Sequence, residues 1–491
     1  MELRLVFPPA EPNTPLYLPI GMATAKSFLQ SQNKIRQTDL HAEIVKLNNT
    51  RKSIRFCVNL KVFKAGNFRN FSQMKEDNAV KKELQKILSI MKIRKNETLL
   101  FSVHWSSQLP LTLLIGEEAK KRHKIKVVFG GACFLGMDVQ KIFDDFSAID
   151  VLAVGTIDNV HEKLIEYLYS GKRGLIQEHK APKQYIVPDY DGLDLQQYQR
   201  FVSGKPVTPM LVETSRGCVY NCAFCASKTT FSLHKAKEVV DAVRALKAKY
   251  NCDHFYFINQ CLNVSTNHAE EICTELIRQN AGITWQSYCR LDTLEEKTLE
   301  LMKESGCTSL KCSLESASKR VLKLMNKQFD LEHFERLLQK CYELGISITV
   351  FTITGFPGAS LEELHKTLQF LLKNLNKIEW VHAQQFKLYR GSEVHKNWQA
   401  YNIVPKDTRM AALSYALDFR YLHDHRLAKR EKLVKKALAA QIRRRSPVIR
   451  LLPQAIIDKI FYTDYLVTNT LANYLFLNIK KVINTPPLLH E

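Results

Sequence analysis

Three cysteines stand close together in the segment SRGCVYNCAFCAS, at Cys218, Cys222 and Cys225. Their C-x3-C-x2-C spacing lets one short loop wrap a metal centre, and thiolates are soft ligands suited to iron–sulfur clusters. Three cysteines cannot fill the sites of a [4Fe–4S] cluster, so one iron would stay open for a substrate or cofactor, as a catalytic zinc keeps one position free. The motif therefore predicts metal-dependent chemistry with an open coordination position.

Two other interpretations of the motif are a zinc site and a chance grouping of buried cysteines. Zinc motifs usually combine two C-x-x-C pairs, or one pair with histidines, and no second pair stands at a plausible distance. The other nine cysteines are scattered and typical of buried apolar residues rather than of disulfides. Cys307 and Cys312 are the nearest pair, too little to predict a second cluster.

A strand predicted over Met210–Thr214 places the cysteine motif at its carboxyl end. Helical patterns separate it from five further predicted strands, which are His254–Ile258, Ile283–Cys289, Thr308–Leu314, Ile346–Thr354 and Val381–Leu388. One such helix has its leucines on one face, at Leu361, Leu364, Leu368, Leu371 and Leu375. The pattern predicts an α/β chain whose central region, 208–398, is a partial (β/α)6 TIM-like barrel with its reactive centre at the carboxyl ends of the strands.

Residues 1–171 also alternate between apolar strands and helices. The predicted strands are Arg4–Pro9, Ala42–Leu47, Thr98–His104, Ile125–Gly131 and Val151–Gly155, with helices near 109–123 and 137–147. This order predicts an N-terminal Rossmann/flavodoxin-like parallel sheet domain with covered faces. Such sheets bind ligands at the carboxyl ends of their strands. Residues 172–207, rich in glycine, proline and lysine, are predicted to be a connector.

The region 399–491 is predicted to be a C-terminal helical extension. Its basic residues include Arg420, Arg426, Lys429, Arg430, Lys432, Lys435, Lys436, Arg443, Arg444 and Arg445. The formal net charge of the chain is +22, which fits either an anionic partner or a lysine-rich composition. No recognised RNA module is visible, so nucleic acid is not an expected partner. The stretch LVTNTLANYLFLNIKK fits an amphipathic surface helix on a membrane, or a helix packed on a core.

The start of the chain, MELRLVFPPAEP, lacks the long apolar core of a secretory signal. No run approaches the roughly 18 uncharged apolar residues of a transmembrane helix. The sequence therefore predicts a cytoplasmic location and no transmembrane segment.

The chain resembles the radical S-adenosylmethionine (SAM) superfamily from about residue 205 to 395. The resemblance is carried by the cysteine motif with Phe224 before its last cysteine, and by the segments KCSLESASKRVLKLMNK and ITVFTITGFPGASLEEL. It implies a [4Fe–4S] cluster on the three cysteines and reductive cleavage of SAM to a 5′-deoxyadenosyl radical. It also implies a one-electron reductant such as flavodoxin or ferredoxin.

The resemblance implies cofactor-binding roles for residues at the carboxyl ends of the strands. Phe224 would place its backbone near the adenine of SAM, with Ile353 and Gly355 on the adenine side. Ser313 and Glu315 would contact the ribose or the amino group.

Arg290 would face the SAM carboxylate or the substrate, although a surface ion pair is an alternative role for it. The alternative for Glu315 is structural, beside a helix N-cap at Ser316. After the second strand, FINQCLNVS departs from the acidic pattern of many relatives, and Gln260 and Asn263 receive no role.

The two domains in this order resemble the cobalamin-binding class of the superfamily. The matching segments are VFPP, LPIGMATAKSFL, LFSVHWSS, VVFGGACFLG and DVLAVGTID. Residues that would border cobalamin are Ser102, His104, Trp105, Gly130, Gly131 and Gly155. The chain departs from the class where relatives often read Gly-Glu-Gly-Glu, and it has no Asp-x-His-x-x-Gly motif to supply a cobalt ligand.

This class implies a C-methyltransferase acting on an unactivated carbon. Alternatives are a radical SAM rearrangement or cyclisation, a first domain that is only a scaffold, and a basic RNA- or membrane-associated binding protein. The substrate could be a peptide, a lipid or a natural-product precursor.

Overall fold

The computed structural model describes residues 2–421 except for 11–15, 31–32, 51–56, 64–69, 179, 183, 203–204, 227–229, 407–412 and 414–415. Among these residues, no helix is long and apolar enough to cross a membrane. The described elements form two six-stranded sheets, each flanked by helices, together with four two-stranded ribbons.

The first sheet is parallel throughout and has the strand order 2-1-3-4-5-6. Its strands are β1 Glu2–Phe7, β2 Lys34–Asp39, β3 Glu97–Ser102, β4 Val127–Gly130, β5 Val151–Val154 and β6 Gly174–Gln177. Its helices are α1 Ile20–Leu29, α2 Leu40–Thr50, α3 Phe71–Glu76, α4 Asn78–Met91, α5 Leu109–His123, α6 Val139–Asp145 and α7 Ile157–Ser170. The predicted parallel α/β sheet is confirmed. β6 lies inside the predicted connector, so the sheet extends beyond residue 171.

The strand predicted over Ala42–Leu47 is wrong, because these residues belong to α2. The true strand, β2, has the polar sequence KIRQTD and pairs only with β1 at the edge of the sheet. An edge strand with one covered face does not need the continuous apolar run of a central strand. Asp39 ends β2, and its carboxylate accepts a hydrogen bond of 2.9 Å from the backbone N–H of Ala42, which fixes the first turn of α2.

The second sheet consists of six parallel strands in the order 9-12-13-14-15-16. A ribbon precedes it, β7 Arg200–Val202 with β8 Lys205–Val207. The sheet strands and the ribbon after its first strand are β9 Met210–Glu213, β10 Ser215–Arg216, β11 Ser232–Leu233, β12 His254–Ile258, β13 Thr284–Cys289, β14 Cys307–Glu315, β15 Ser347–Thr354 and β16 Trp380–Gln385. The connecting helices are α8 Ala236–Tyr250, α9 Thr266–Arg278, α10 Glu296–Glu304, α11 Lys319–Leu324, α12 Leu331–Glu343 and α13 Leu361–Lys373. All six predicted barrel strands are present, and their ends lie within three residues of the predicted ones.

The described part of the C-terminal region contains short strands where a helical pattern was predicted. After β17 Leu388–Tyr389 and α14 Glu393–Lys396 come β18 Ile403–Pro405, β19 Ala416–Leu417 and β20 Phe419–Tyr421. β17 pairs with β19, and β18 pairs with β20. Phe419 and Tyr421 pack against an apolar cluster that includes Phe356, Phe386 and Leu388, which favours strand pairing at this point. The basic residues after Arg420 lie outside the described residues.

The segment between the two sheets joins them with buried tyrosines. Tyr190 is fully buried in the same apolar cluster as β9 and β12, and its hydroxyl donates to the Leu211 carbonyl at 3.2 Å. Tyr198 donates a hydrogen bond of 2.7 Å to the Asp39 carboxylate of β2. The first sheet is therefore fastened to the barrel by specific packing and hydrogen bonds.

The buried Asp39 carboxyl predicts a pH dependence of stability. Burial raises the pKa of Asp39 to about 6, well above the ordinary range of an aspartate. A carboxyl with a raised pKa stabilises the folded state below its unfolded pKa, and this contribution is lost as the pH rises through the folded pKa. The full shift corresponds to about 3 kcal/mol, most of which is lost between pH 4 and pH 7. We expect Asp39→Asn to remove this slope, measured as the variant-minus-wild-type difference in urea unfolding at pH 4, 5, 6 and 7. A constant difference would contradict the assignment.

Candidate active site

The cysteine loop begins where β9 ends, and neighbouring residues hold both of its ends. The β10–β11 ribbon brackets it, with Ser215 opposite Leu233 and Arg216 opposite Ser232. Glu213, the last residue of β9, accepts hydrogen bonds of 2.7 Å from Arg216. These contacts fix the direction in which the loop leaves the barrel.

The middle of the cysteine loop is tied to two neighbouring segments by its backbone. Ala223 donates to the Met325 carbonyl at 2.8 Å and accepts from the Val394 N–H at 3.1 Å. The Asn221 carbonyl accepts from the Asn326 side chain at 2.8 Å. Because the residues after α11 and at α14 hold the loop from two sides, it is positioned by the fold.

The three motif cysteines are half-buried thiols, and none forms a disulfide. Cys225 N–H donates to the Cys222 carbonyl at 3.1 Å, which closes a tight turn. Burial raises the pKa of the Cys222 thiol to about 11, and the ammonium of Lys327 opposes the rise. Metal binding replaces the proton of such a thiol.

No group of three or more His, Cys, Asp or Glu side chains among the described residues surrounds a single metal-ion position. A cubic iron–sulfur cluster places different demands on the loop, because each thiolate binds a different iron and the sulfurs stand further apart than ligands of one ion. The donor set, three thiols on one anchored loop, fits such a cluster.

Glu315 ends β14 in an unusual backbone conformation. Its φ is +63°, in the left-handed region that non-glycine residues rarely adopt, and the pairing with β15 shifts register between Ser313 and Glu315. Strained backbone of this kind costs on the order of 1–3 kcal/mol and clusters at functional sites. The shift places the Glu315 side chain in the cavity beside Ser313.

The Glu315 carboxylate faces the ammonium of Lys327 at 3.8 Å, and both side chains are at least nine-tenths buried. Burial raises the pKa of Glu315, an effect that Lys327 opposes. Lys327 also donates to the Ser313 hydroxyl at 3.1 Å and to the Ser313 carbonyl. The expected N-cap at Ser316 is wrong, because the cap of α11 is Ser318, whose hydroxyl accepts from Val321 at 3.3 Å.

Arg290 is buried, with only 7% of its surface exposed, so its alternative role as a surface ion-pair partner is wrong. Its guanidinium pairs with the Asp292 carboxylate, donates to the Gln328 carbonyl and lies 4.3 Å from the ring centre of Tyr220 in the cysteine loop. Burial lowers the pKa of Arg290, but the hydrogen bond and the charge of Asp292 together outweigh it, so the pKa of Arg290 is raised. Arg290 thus connects the third strand of the barrel with the cysteine loop.

A cavity of about 270 Å³ opens at the carboxyl ends of the barrel strands. Five of the predicted SAM-site residues line it together, namely Phe224, Arg290, Ser313, Glu315 and Ile353. Gly355 is not among the lining residues. It follows β15 with a φ of +67°, a conformation that favours glycine, and its carbonyl accepts a hydrogen bond from Tyr421.

The residues predicted to border cobalamin lie at the carboxyl ends of β3, β4 and β5. His104 is exposed there and packs edge-on against Trp105, with 4.7 Å between ring centres. A Cβ on Gly131 would lie 2.4 Å from the Val103 carbonyl oxygen, and one on Gly155 would lie 2.4 Å from that of Glu178. These two glycines are therefore required by the packing of the chain itself. Ser102 and Gly130 form the last register pair between β3 and β4, beside this edge.

Sequence reasoning missed two residues that organise the site. Lys327 ends the segment KCSLESASKRVLKLMNK, whose resemblance pointed to it, but its partner Glu315 stands twelve residues earlier in the chain. Asn263 is 2% exposed, donates to the Arg290 carbonyl at 2.8 Å and accepts from the Arg290 N–H at 2.9 Å. Asn263 therefore positions the end of β13, a role that no local sequence pattern predicts.

Residues 212–371 match the family model of the Radical SAM superfamily. The matched region contains the cysteine loop and the strands β12 to β15 that surround the cavity. The chain therefore contains a radical SAM domain.

Among curated proteins, the chain is 28% identical over 191 residues to an uncharacterized methyltransferase of Pyrococcus horikoshii, which covers 38% of the chain and 41% of the relative. It is 31% identical over 171 residues to the cytidylyl-2-hydroxyethylphosphonate methyltransferase of Streptomyces wedmorensis, covering 32% of each. The matched region thus spans between a third and two fifths of these relatives' lengths.

A solved structure extends the likeness to the whole fold. The radical SAM methyltransferase TsrM of Kitasatospora setae, solved with cobalamin and a [4Fe–4S] cluster bound, superposes with a TM-score of 0.64 at 14% identity, covering 98% of this chain and 99% of that one. The cobalamin-dependent SAM radical enzyme OxsB gives a TM-score of 0.62 at 13% identity, covering 98% and 71%. The two-domain architecture of this chain is therefore that of these structures.

Proposed function

We propose that this chain is a cobalamin-dependent radical SAM enzyme that methylates an unactivated carbon. The observation that carries the proposal is the anchored loop of Cys218, Cys222 and Cys225 above a cavity at the carboxyl ends of the barrel strands. The matched family model supports the radical chemistry, and the methyltransferases among the relatives support the methyl transfer. A one-electron donor such as flavodoxin or ferredoxin would supply the reducing electron.

Three thiolates of the loop would hold a [4Fe–4S] cluster, which with SAM supplies a 5′-deoxyadenosyl radical by one-electron cleavage. The half-buried loop keeps these cysteines partly shielded from solvent, and Tyr220 packs against Arg290 at its rim. A shielded site protects a reactive species from side reactions with water.

The cavity residues would bind SAM through complementary charge. Glu315 is a buried carboxylate that lines the cavity, where it would accept hydrogen bonds from an amino group or a ribose. Arg290 presents a cation near the loop to a carboxylate, while Phe224 and Ile353 supply apolar surface for the adenine. Gly355 would contribute backbone rather than side-chain contacts.

Cobalamin would bind at the carboxyl edge of the first sheet and supply a methyl carrier. The edge exposes hydrogen-bonding and aromatic side chains at Ser102, His104 and Trp105, where open parallel sheets bind ligands. Gly131 and Gly155 would shape the same edge through the turns that their positive φ angles permit, and Gly130 would border it as the last residue of β4.

Product analysis with SAM labelled in its methyl group tests this proposal. We expect the anaerobically reconstituted enzyme with a reductant to form 5′-deoxyadenosine and S-adenosylhomocysteine, and we expect the label to reach cobalamin. 5′-Deoxyadenosine without labelled cobalamin or S-adenosylhomocysteine would point to a rearrangement or cyclisation. If neither nucleoside product forms, the proposal fails.

A further inference from the structure

The charged side chains that line the cavity differ in whether a side chain of opposite charge lies beside them. Arg290 pairs with Asp292, and Glu315 faces Lys327. Lys311 also lines the cavity, yet no carboxylate of the described residues lies within 4.0 Å of its ammonium group. The cavity therefore contains a cation without a counter-ion in the described part of the chain.

Aromatic rings surround this ammonium instead. Lys311 Nζ lies 4.1 Å from the ring centre of Tyr256 and 5.4 Å from that of Tyr288. Cation–π contacts of this kind favour a cation but do not neutralise it. Burial lowers the pKa of Lys311 to about 8, with a further lowering from Arg200, which reflects the cost of holding the charge there. An anion bound beside the ammonium would offset that cost.

The rings continue as a wall along the barrel interior. Tyr288 lies 5.7 Å from Phe351, which stacks on His382 at 4.9 Å with 26° between the ring planes. Burial lowers the pKa of His382, and the charge of Lys311 lowers it further, so the neutral imidazole is favoured. The wall offers flat apolar surface beside one positive charge.

The position of Lys311 along β14 relates this charge to the cysteine loop. Lys311 and Ser313 are two residues apart and both line the cavity, as side chains on one face of a strand do. Glu315 stands four residues beyond Lys311, which corresponds to about 13 Å along a strand. A small molecule held at Lys311 therefore reaches with its other end towards the SAM side of the cavity.

We propose that Lys311 anchors an acidic group of the substrate, a carboxylate or a phosphate, while Tyr288 and Phe351 pack against a flat aromatic body. The substrate class is then a small aromatic acid, because SAM is proposed to occupy the Glu315 end of the same cavity and only the Lys311 end is left for the substrate. That the bound acid is methylated rests on the proposed function, whereas binding of the acid at Lys311 does not.

Binding of matched probes to the reconstituted holoenzyme tests the inference. The probes are indole-3-carboxylate and phenyl phosphate, with indole-3-carboxamide and phenol as uncharged controls, and affinities are measured by calorimetry. We expect each acid to bind more tightly than its control, and Lys311→Met to weaken the acids by about 10- to 100-fold. Lys311→Arg should retain most of the affinity, and Lys237→Met, an exposed lysine on α8, should not change it.

The two acids distinguish a carboxylate from a phosphate as the preferred anion. Equal affinities of acids and uncharged controls for the wild-type enzyme, or no binding of any probe, would overturn the inference even if Lys311→Met failed to fold. So would undiminished binding of the acids to a folded Lys311→Met. Formation of 5′-deoxyadenosine by the wild-type enzyme is measured separately, because acid binding without it contradicts the proposed function alone.

Discussion

Replacing Cys222 with alanine is expected to abolish reductive cleavage of SAM. Cys222 sits between the two other thiols of the loop, and the Cys222 carbonyl closes the turn to Cys225. Alanine leaves two thiolates for a cluster that needs three, and no other cysteine lies on the loop. Replacing a residue that only hydrogen-bonds to a metal ligand typically lowers metal affinity or activity by about 10- to 100-fold. The loss of a ligand itself should therefore reduce 5′-deoxyadenosine formation by at least about 100-fold.

Cys57→Ser is the matched control for this experiment. Cys57 lies in the first domain, has a similar exposure and forms no disulfide, and its Sγ contacts the Asn48 carbonyl at 3.9 Å. We expect it to retain iron, the visible absorbance of the cluster and 5′-deoxyadenosine formation. Sustained formation of 5′-deoxyadenosine by Cys222→Ala, measured by chromatography, would remove the cluster from these three cysteines.

Replacing Lys327 with methionine is expected to destabilise the barrel by about 3–5 kcal/mol, the usual cost of removing one partner of a buried ion pair. The Glu315 carboxylate would lose the ammonium 3.8 Å away, and the Ser313 hydroxyl would lose its donor. Trp285, fully buried in the barrel and hydrogen-bonded to the Ser305 carbonyl at 3.1 Å, reports the transition by fluorescence in urea.

Two further variants separate charge from packing in this experiment. Adding Glu315→Gln to Lys327→Met removes the uncompensated carboxylate and should restore more than half of the lost free energy of unfolding. Lys237→Met changes a lysine whose side chain is 72% exposed and should cost no more than about 0.5 kcal/mol. A cost for Lys327→Met as small as that of Lys237→Met would contradict the buried pair.

The strands of both sheets could be predicted from the sequence to the extent that they are buried on both faces. Continuous apolar runs such as VVF in β4 and MLV in β9 leave few alternatives. The polar edge strand β2 has no such run, and the apolar positions of α2 predict a strand in its place. A local sequence pattern does not predict the structure where it depends on one neighbouring strand and on one hydrogen bond from the Ala42 N–H to the Asp39 carboxylate.

The candidate site also contains residues that the sequence predicts and residues that it does not. The spacing of Cys218, Cys222 and Cys225 predicts their shared role, because one loop carries all three. The pairing of Glu315 with Lys327 and the left-handed backbone of Glu315 depend on how α11 returns to the end of β14. The unmatched charge of Lys311 depends on rings from two other strands. Such relations arise only from the register of the sheet.

Metal and cofactor analysis of the anaerobically reconstituted protein tests the central claim most directly. The protein is supplied with iron, sulfide and cobalamin, freed of excess reagent, and examined by metal analysis and absorption spectroscopy. We predict about four irons and one cobalamin per chain, as a [4Fe–4S] cluster on the cysteine loop and a cobalamin on the first sheet require. Iron without cobalamin would leave the first domain as a scaffold for the barrel, and a protein that binds no iron would contradict the account.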